Sequence, residues 1–391
     1  MDNACPSCGS TRLKPFYELS QVPVHSVLLM HSRQEAAGYP KGDIRLHHCT
    51  NCGFICNLAF DSSDHEYSSR YEETQGFSPT FSDFQLTLAT ELVERYGLHG
   101  KDIMDIGCGK GDFLTLLCEL GGNRGVGFDP SYVSGRTEGS PDDQVTFIKD
   151  FYTDQYANYT ADFVCCKMTL EHIQRTGEFI RLIRNAVEGR PNSLVFFQVP
   201  DVARILKEMA FWDIYYEHCS YFSAGSLARL FRQNGYGIID LKRDYEDQYL
   251  MLVASGSGKA GESFPDLEDD LVKLEEAVSQ FSKHYVENQG EWRTFVRSNQ
   301  REGRKIVLWG SGSKGVAFLT TLGIRDEVEY VVDINPRKHG TFMAGTGQEI
   351  VSPEFLQEYE PDIVVIMNPA YKGEIRSALD GLGLAPQVVA V

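Results

Sequence analysis

The chain has 391 residues, 42 % of them hydrophobic and 24 % charged, and its 37 Lys plus Arg against 55 Asp plus Glu give a formal net charge of −18. That length suggests two or three domains at about 100–200 residues each, and the composition is that of an ordinary globular protein. So acidic a balance argues against a general nucleic-acid binder, which needs a basic footprint to neutralise phosphates, while leaving room for a small anion in a local pocket. No apolar run approaches the roughly 18 residues that span a bilayer. The opening MDNACPSCGS lacks the basic stretch and apolar core of a secretory signal. A cytoplasmic protein with no membrane or nucleic-acid partner is expected.

Residues 1–65 carry two Cys-x-x-Cys pairs, Cys5 with Cys8 and Cys49 with Cys52, each followed directly by Gly. Two such knuckles supply the four soft ligands of a tetrahedral Zn²⁺, and the glycine lets the backbone turn amide groups toward the sulfurs. A redox pair would need only one knuckle. With every position filled by protein, the metal is expected to be structural. The stretch between the knuckles is long enough to require structure of its own. The remaining cysteines (Cys56, Cys108, Cys118, Cys165, Cys166 and Cys219) lie scattered and read as small buried hydrophobes.

Residues 66–257 alternate strand-like apolar runs with amphipathic helical runs, the pattern of a parallel sheet with crossover helices. Strands are expected at Asp102–Ile106, Gly125–Phe128, Phe163–Cys166 and Leu194–Gln198. The segment YEETQGFSPTF, before the first of them, is placed as a lid over the site, with Tyr71 and Gln75 as its contacts. In KDIMDIGCGKGDFL a short strand ends at Asp105, and Gly107, Gly109 and Gly111 lead into a helix, where glycines admit a ligand close to the backbone. That loop alone serves dinucleotides and methyl donors equally. Asp129 ends the next strand, where a carboxylate can accept both hydroxyls of a ribose. Asp150, with Phe151 after it, ends a further short run and could face an adenine amino group.

Within IYYEHCSYFS, Tyr215, Glu217 and His218 place three useful groups inside four residues. An imidazole can be a base at neutral pH, a carboxylate can orient it, and a phenol can donate to an enolate oxygen. The same residues would also suit a loop in which His218 is merely hydrogen-bonded. His172 is read as a packing residue beside the donor pocket. Residues 258–303 form a linker and a charged helical connector, and a second alternating unit occupies 304–391. Its KIVLWGSGSKG turn carries Gly310, Ser311, Gly312, Lys314 and Gly315, and Asp333 ends the next strand about 20 residues on. This fingerprint suits NAD, and its serines and lysine suit a phosphate as well.

Taken together, the DIGCGKG loop, Asp129, the LEHI segment at Leu170–Ile173, the cysteine knuckles and the Y-x-E-H-x-x-Y-F-S pattern at 215–223 resemble the zinc-containing, S-adenosylmethionine-dependent C-methyltransferases that act on nucleotide-linked keto-deoxysugars. The resemblance implies three α/β-rich parts: a zinc-binding module, a class I Rossmann-like methyltransferase domain and a C-terminal Rossmann-like domain. S-adenosylmethionine would be held by Asp105, Gly107, Gly109, Gly111, Asp129, Asp150, Phe151 and Gln75. His218 would be the base, with Tyr215, Glu217, Tyr71 and Tyr221 near the sugar. Gly310, Ser311, Lys314, Asp333 and Lys338, in the GxGxKG and VVDxNPxKxG segments, would help bind a nucleotide diphosphate. The chain would act on this small molecule as a monomer or homodimer. Two rivals stand beside it: a methyltransferase acting on carbon, oxygen or nitrogen of a non-sugar acceptor and, more distantly, an NAD-dependent oxidoreductase.

Overall fold

The computed structural model describes residues 4–64, 68–136, 144–187, 189–190, 192–256 and 261–391. The stretch between the knuckles does carry structure: β1 (Leu13–Pro23) and β2 (Lys41–Cys49) pair antiparallel, and β3 (Ile55–Asn57) adds to β2. Ile44 and Leu46 turn their side chains into the core.

The larger sheet begins at β4 (Asp102–Ile106), β5 (Arg124–Phe128) and β6 (Val145–Ile148), and continues through β7 (Phe163–Lys167) and β8 (Leu194–Pro200). Next in the chain, β9 (Ser220–Tyr221) leaves this sheet and closes the small one, with Ile55 opposite Tyr221. The segment that carries Tyr215 and His218 is thereby fastened to the cysteine module. A hairpin of β10 (Gly237–Asp244) and β11 (Tyr249–Ser255) finishes the larger sheet, whose order is β10-β11-β8-β7-β4-β5-β6. All its pairings are parallel except those of β11, which runs antiparallel to both neighbours. The central strands are apolar on both faces, as parallel strands covered by helices must be; Phe163, Val164, Cys165 and Cys166 are all fully buried.

A connector helix, Leu271–Arg301, packs Phe281 against Tyr17 and Tyr285. Asp269 (φ −83°, ψ 60°) separates it from the short turn Pro265–Glu268. A second sheet follows, made of β12 (Ile306–Trp309), β13 (Tyr330–Val332), β14 (Glu349–Val351), β15 (Ile363–Ile366) and β16 (Gln387–Ala390). It is parallel throughout in the order β14-β13-β12-β15-β16. In both sheets the strand order reverses beside the first strand, between β4 and β7 and between β12 and β15. Such switch points are where α/β sheets open a crevice for ligands. One apolar cluster runs from Tyr17 and Ile44 through Phe211 to Phe318 and Val365, so the small sheet, the cleft and the second sheet share a core. Among the described residues no helix is long and apolar enough to cross a membrane.

Candidate active site

The two switch points face one cavity of about 980 Å³. Its wall includes Asp105, Gly107, Gly109, Asp129, Asp150, Phe151, Tyr71 and Gln75 on the side of the larger sheet, Tyr215 and His218 in the middle, and Gly310, Lys314, Asp333 and Lys338 from the second sheet.

The glycine loop is built for close approach. Gly107 has φ +75°, and a Cβ there would fall 2.0 Å from Thr169 Oγ1. The Gly109 N–H donates to Asp129 Oδ2 at 2.9 Å, and the Ser131 N–H donates to Oδ1 at 2.7 Å, so Asp129 closes the loop as well as facing the cavity. Gly111 serves packing: it precedes the helix Asp112–Gly121 with φ +93°, and the space a Cβ would need is filled by the Phe147 ring, 2.4 Å away. Asp105 is 2 % exposed; burial pushes its carboxyl up to about 7, and Oδ1 has no hydrogen-bond partner. Asp150 lies at the rim, where hydrogen bonds from Tyr156, Gln155 and the Phe151 N–H hold its carboxyl below the usual range. Gln75 accepts a hydrogen bond from the Tyr371 hydroxyl at 2.8 Å, which ties the lid segment to the C-terminal unit.

In the middle of the cavity the Tyr215 hydroxyl lies 2.9 Å from His218 Nε2. Burial, with the nearby His172 and Lys314, drives the His218 imidazole well below 6.5, and its Nδ1 has no partner. Burial pushes the Tyr215 phenol far above 10, so it stays protonated. The His172 ring stands edge-on to His218 at 4.9 Å between centroids. Glu171, His172 and His218 offer ligand atoms within 4.8 Å of one another. Burial lifts the Glu171 carboxyl to about 8.

Several expected residues are engaged elsewhere. Glu217 is 1 % exposed and outside the cavity wall; it bonds His25 Nδ1 at 3.0 Å and the Ser26 N–H at 2.9 Å, so the imidazole it orients is His25 and not His218. Tyr221 is also outside the wall, because strand pairing with Ile55 turns it into the core. Ser311 turns its hydroxyl onto Asp333, and Ser313 takes its place at the cavity. Lys314 reaches Asp213 at 3.0 Å and Gln248 at 3.2 Å, and Lys338 lies 3.5 Å from Asp333. A phosphate on that side would share both cations with carboxylates. His25, Ser26 and Lys167 escaped the sequence reading. For Lys167 a signal existed, since it ends a parallel strand next to the glycine loop.

Away from the cavity, Cys5 Sγ lies 3.8 Å from Cys52 Sγ and Cys8 Sγ 3.7 Å from Cys49 Sγ, with all four sulfurs within 4.8 Å. Four thiolates at about 2.3 Å from a tetrahedral Zn²⁺ stand about 3.8 Å apart, so the donor set fits that ion. Gly9 and Gly53 make the expected turns, with φ +74° and +78°. The six other cysteines are free and buried.

Comparison with known proteins narrows the class of site. Residues 83–241 match a family described as a methyltransferase domain, and residues 266–383 one described as a C-methyltransferase C-terminal domain. The protein is an S-adenosylmethionine-dependent methyltransferase. Its two matched regions and its likeness to a C-methyltransferase support the narrower class of S-adenosylmethionine-dependent C-methyltransferases. It is 26 % identical over 300 residues to the C-methyltransferase NovU of Streptomyces niveus, covering 72 % of this chain and 70 % of that one. It is 27 % identical over 136 residues to the ubiquinone biosynthesis O-methyltransferase of Escherichia coli, covering 33 % of this chain and 56 % of the other. Among solved structures, the 1,6-didemethyltoxoflavin-N1-methyltransferase of Burkholderia thailandensis aligns over 45 % of this chain and 80 % of its own, at 15 % identity and a TM-score of 0.33.

Proposed function

We propose that the protein methylates a carbon α to the keto group of a nucleotide-linked deoxysugar, with S-adenosylmethionine as donor and a structural Zn²⁺ on Cys5, Cys8, Cys49 and Cys52. The observation that carries this reading is the single cavity of about 980 Å³ that joins the glycine loop, His218 and the turn of the second sheet. That volume is at the upper end for ligand sites, and it brings two nucleoside-type crevices to one point. The sulfur spacing supports the zinc, and the likeness to a C-methyltransferase over most of both chains supports carbon as the acceptor atom.

Methylation at carbon requires removal of the α-proton and a hold on the resulting enolate. His218 is neutral at physiological pH because of its burial, so its lone pair is available. With Nε2–H donating to the Tyr215 oxygen, the unpartnered Nδ1 accepts the α-proton, and the Tyr215 O–H is left to donate to the enolate oxygen. When bound, S-adenosylmethionine supplies an electrophilic methyl group for the new carbon–carbon bond. The proton taken by His218 returns to solvent as the site reopens. Asp105, Gly107, Gly109 and Asp129 would hold the donor, with Asp150, Phe151 and Gln75 toward its adenine end. Tyr71 would face the sugar, while Ser313, Lys314 and Lys338 would face the diphosphate.

Separate calorimetric titrations with S-adenosylmethionine, a dTDP-linked 4-keto-6-deoxysugar and NADH test the reading. Heat from the first two and none from the third is expected. Donor binding without the sugar nucleotide would move the acceptor to another class, and tight NADH binding without donor heat would overturn the reading.

A further inference from the structure

Asp105 and Lys167 stand on neighbouring strands. The parallel pairing of β4 with β7 sets Asp105 opposite Cys165, and Lys167 follows two residues later. With a side-chain period of two, Asp105 and Lys167 therefore leave the sheet on the same face, and both line the cavity. The protein offsets each only in part, through the Cys165 thiol against the Asp105 carboxyl and the attraction between the Asp105 and Lys167 charges. Asp105 Oδ1 and Lys167 Nζ are shut off from solvent without a hydrogen-bond partner, and no ion pair joins Lys167 to a carboxylate among the described residues. Lys167 Nζ instead sits 3.4 Å over the centre of the Phe113 ring. The other lysines along this cavity are already engaged: Lys110 donates to the Tyr71 and Ser131 carbonyls, and Lys314 pairs with Asp213.

Burying an amine and a carboxyl beside each other without a hydrogen bond to either is costly unless a ligand completes both. The chemistry that does so is a zwitterionic α-amino-acid head, whose ammonium meets Asp105 and whose carboxylate meets Lys167. On S-adenosylmethionine the sulfonium and the ammonium are cationic, and the carboxylate is the one anionic group. We propose that Lys167 binds the α-carboxylate of the donor's methionine moiety and so selects a donor that carries one. The assignment rests on the donor reading above.

The test compares binding of S-adenosylmethionine with that of its decarboxylated analogue, by calorimetry, to the full chain and to Lys167→Met. A charge-assisted hydrogen bond predicts that the full chain prefers the carboxylated donor by about tenfold or more. In Lys167→Met that preference should collapse to about twofold or less, with affinity for the decarboxylated analogue kept. Lys167→Gln provides the same reading should the Met variant fail to fold, and a melting temperature no lower than that of the full chain shows that the fold is intact. A variant that keeps the wild-type preference overturns the role of Lys167 alone. A wild-type protein that binds neither compound overturns the donor reading, and the assignment with it.

Discussion

Replacing His25 with Ala tests whether the Glu217 carboxylate is a structural anchor. Glu217 is fully buried, and its hydrogen bonds come from His25 Nδ1 at 3.0 Å, the Ser26 N–H at 2.9 Å and the Ser26 hydroxyl. Burial alone would raise its carboxyl, but His25 and Ser26 bring it below 4.5. Removing His25 leaves a desolvated carboxylate with Ser26 alone, and breaking a buried pair in this way costs about 3–5 kcal/mol. At about 2–4 °C per kcal/mol for a domain of this size, the melting temperature should fall by on the order of 10 °C at pH 7.5. The pH sign follows from linkage. A carboxyl depressed in the folded state contributes stability above its unfolded value, and that contribution is lost as pH falls through the folded value. In the variant, burial is no longer offset, so the carboxyl rises and can protonate in place as the pH drops. The gap between wild type and variant should therefore narrow toward pH 5. Scanning calorimetry at both pH values reads the effect. A drop of under about 2 °C at pH 7.5, or a gap that widens on acidification, would refute the reasoning.

Gly107→Ala drives a Cβ into Thr169 at a residue with φ +75°; donor affinity measured with S-adenosylhomocysteine should fall by at least about tenfold, at a cost of about 1–3 kcal/mol in stability. Metal analysis of the purified protein should find one zinc per chain, and Cys49→Ser should lose it. Since β3 and β9 join that module to the His218 segment, the same variant should lose activity together with thermal stability. Because burial, His172 and Lys314 hold His218 well below 6.5, the acid limb of kcat/KM should lie below pH 6.5, since the base is lost only when the imidazole protonates. A limb at or above 6.5 would contradict that environment.

What was legible in the sequence was local periodicity and turn chemistry. Each of the four strands expected in the larger sheet forms within two residues of its expected ends, because buried apolar runs bounded by glycine or acid have few other uses. The glycine loop and the cysteine knuckles were readable for the same reason. Partners distant along the chain were not. The pairing of Glu217 with His25 spans 192 residues, and that of Lys314 with Asp213 spans 101. Nothing in YYEH announces that one of its two polar neighbours turns into the cysteine module while the other faces the cavity. Lys167 carried a local signal as the end of its strand, but its meaning depends on Asp105 lying across a strand pair.

Carbon methylation through a His218-generated enolate is tested most directly by NMR of the product formed from ¹³C-methyl-labelled S-adenosylmethionine and a dTDP-4-keto-6-deoxysugar in D₂O. The account predicts a label bonded to carbon next to the keto group. It also predicts donor-independent exchange of the α-hydrogen for deuterium, lost in His218→Gln. A label appearing as a methoxy or N-methyl signal, or α-exchange that survives in His218→Gln, would contradict it.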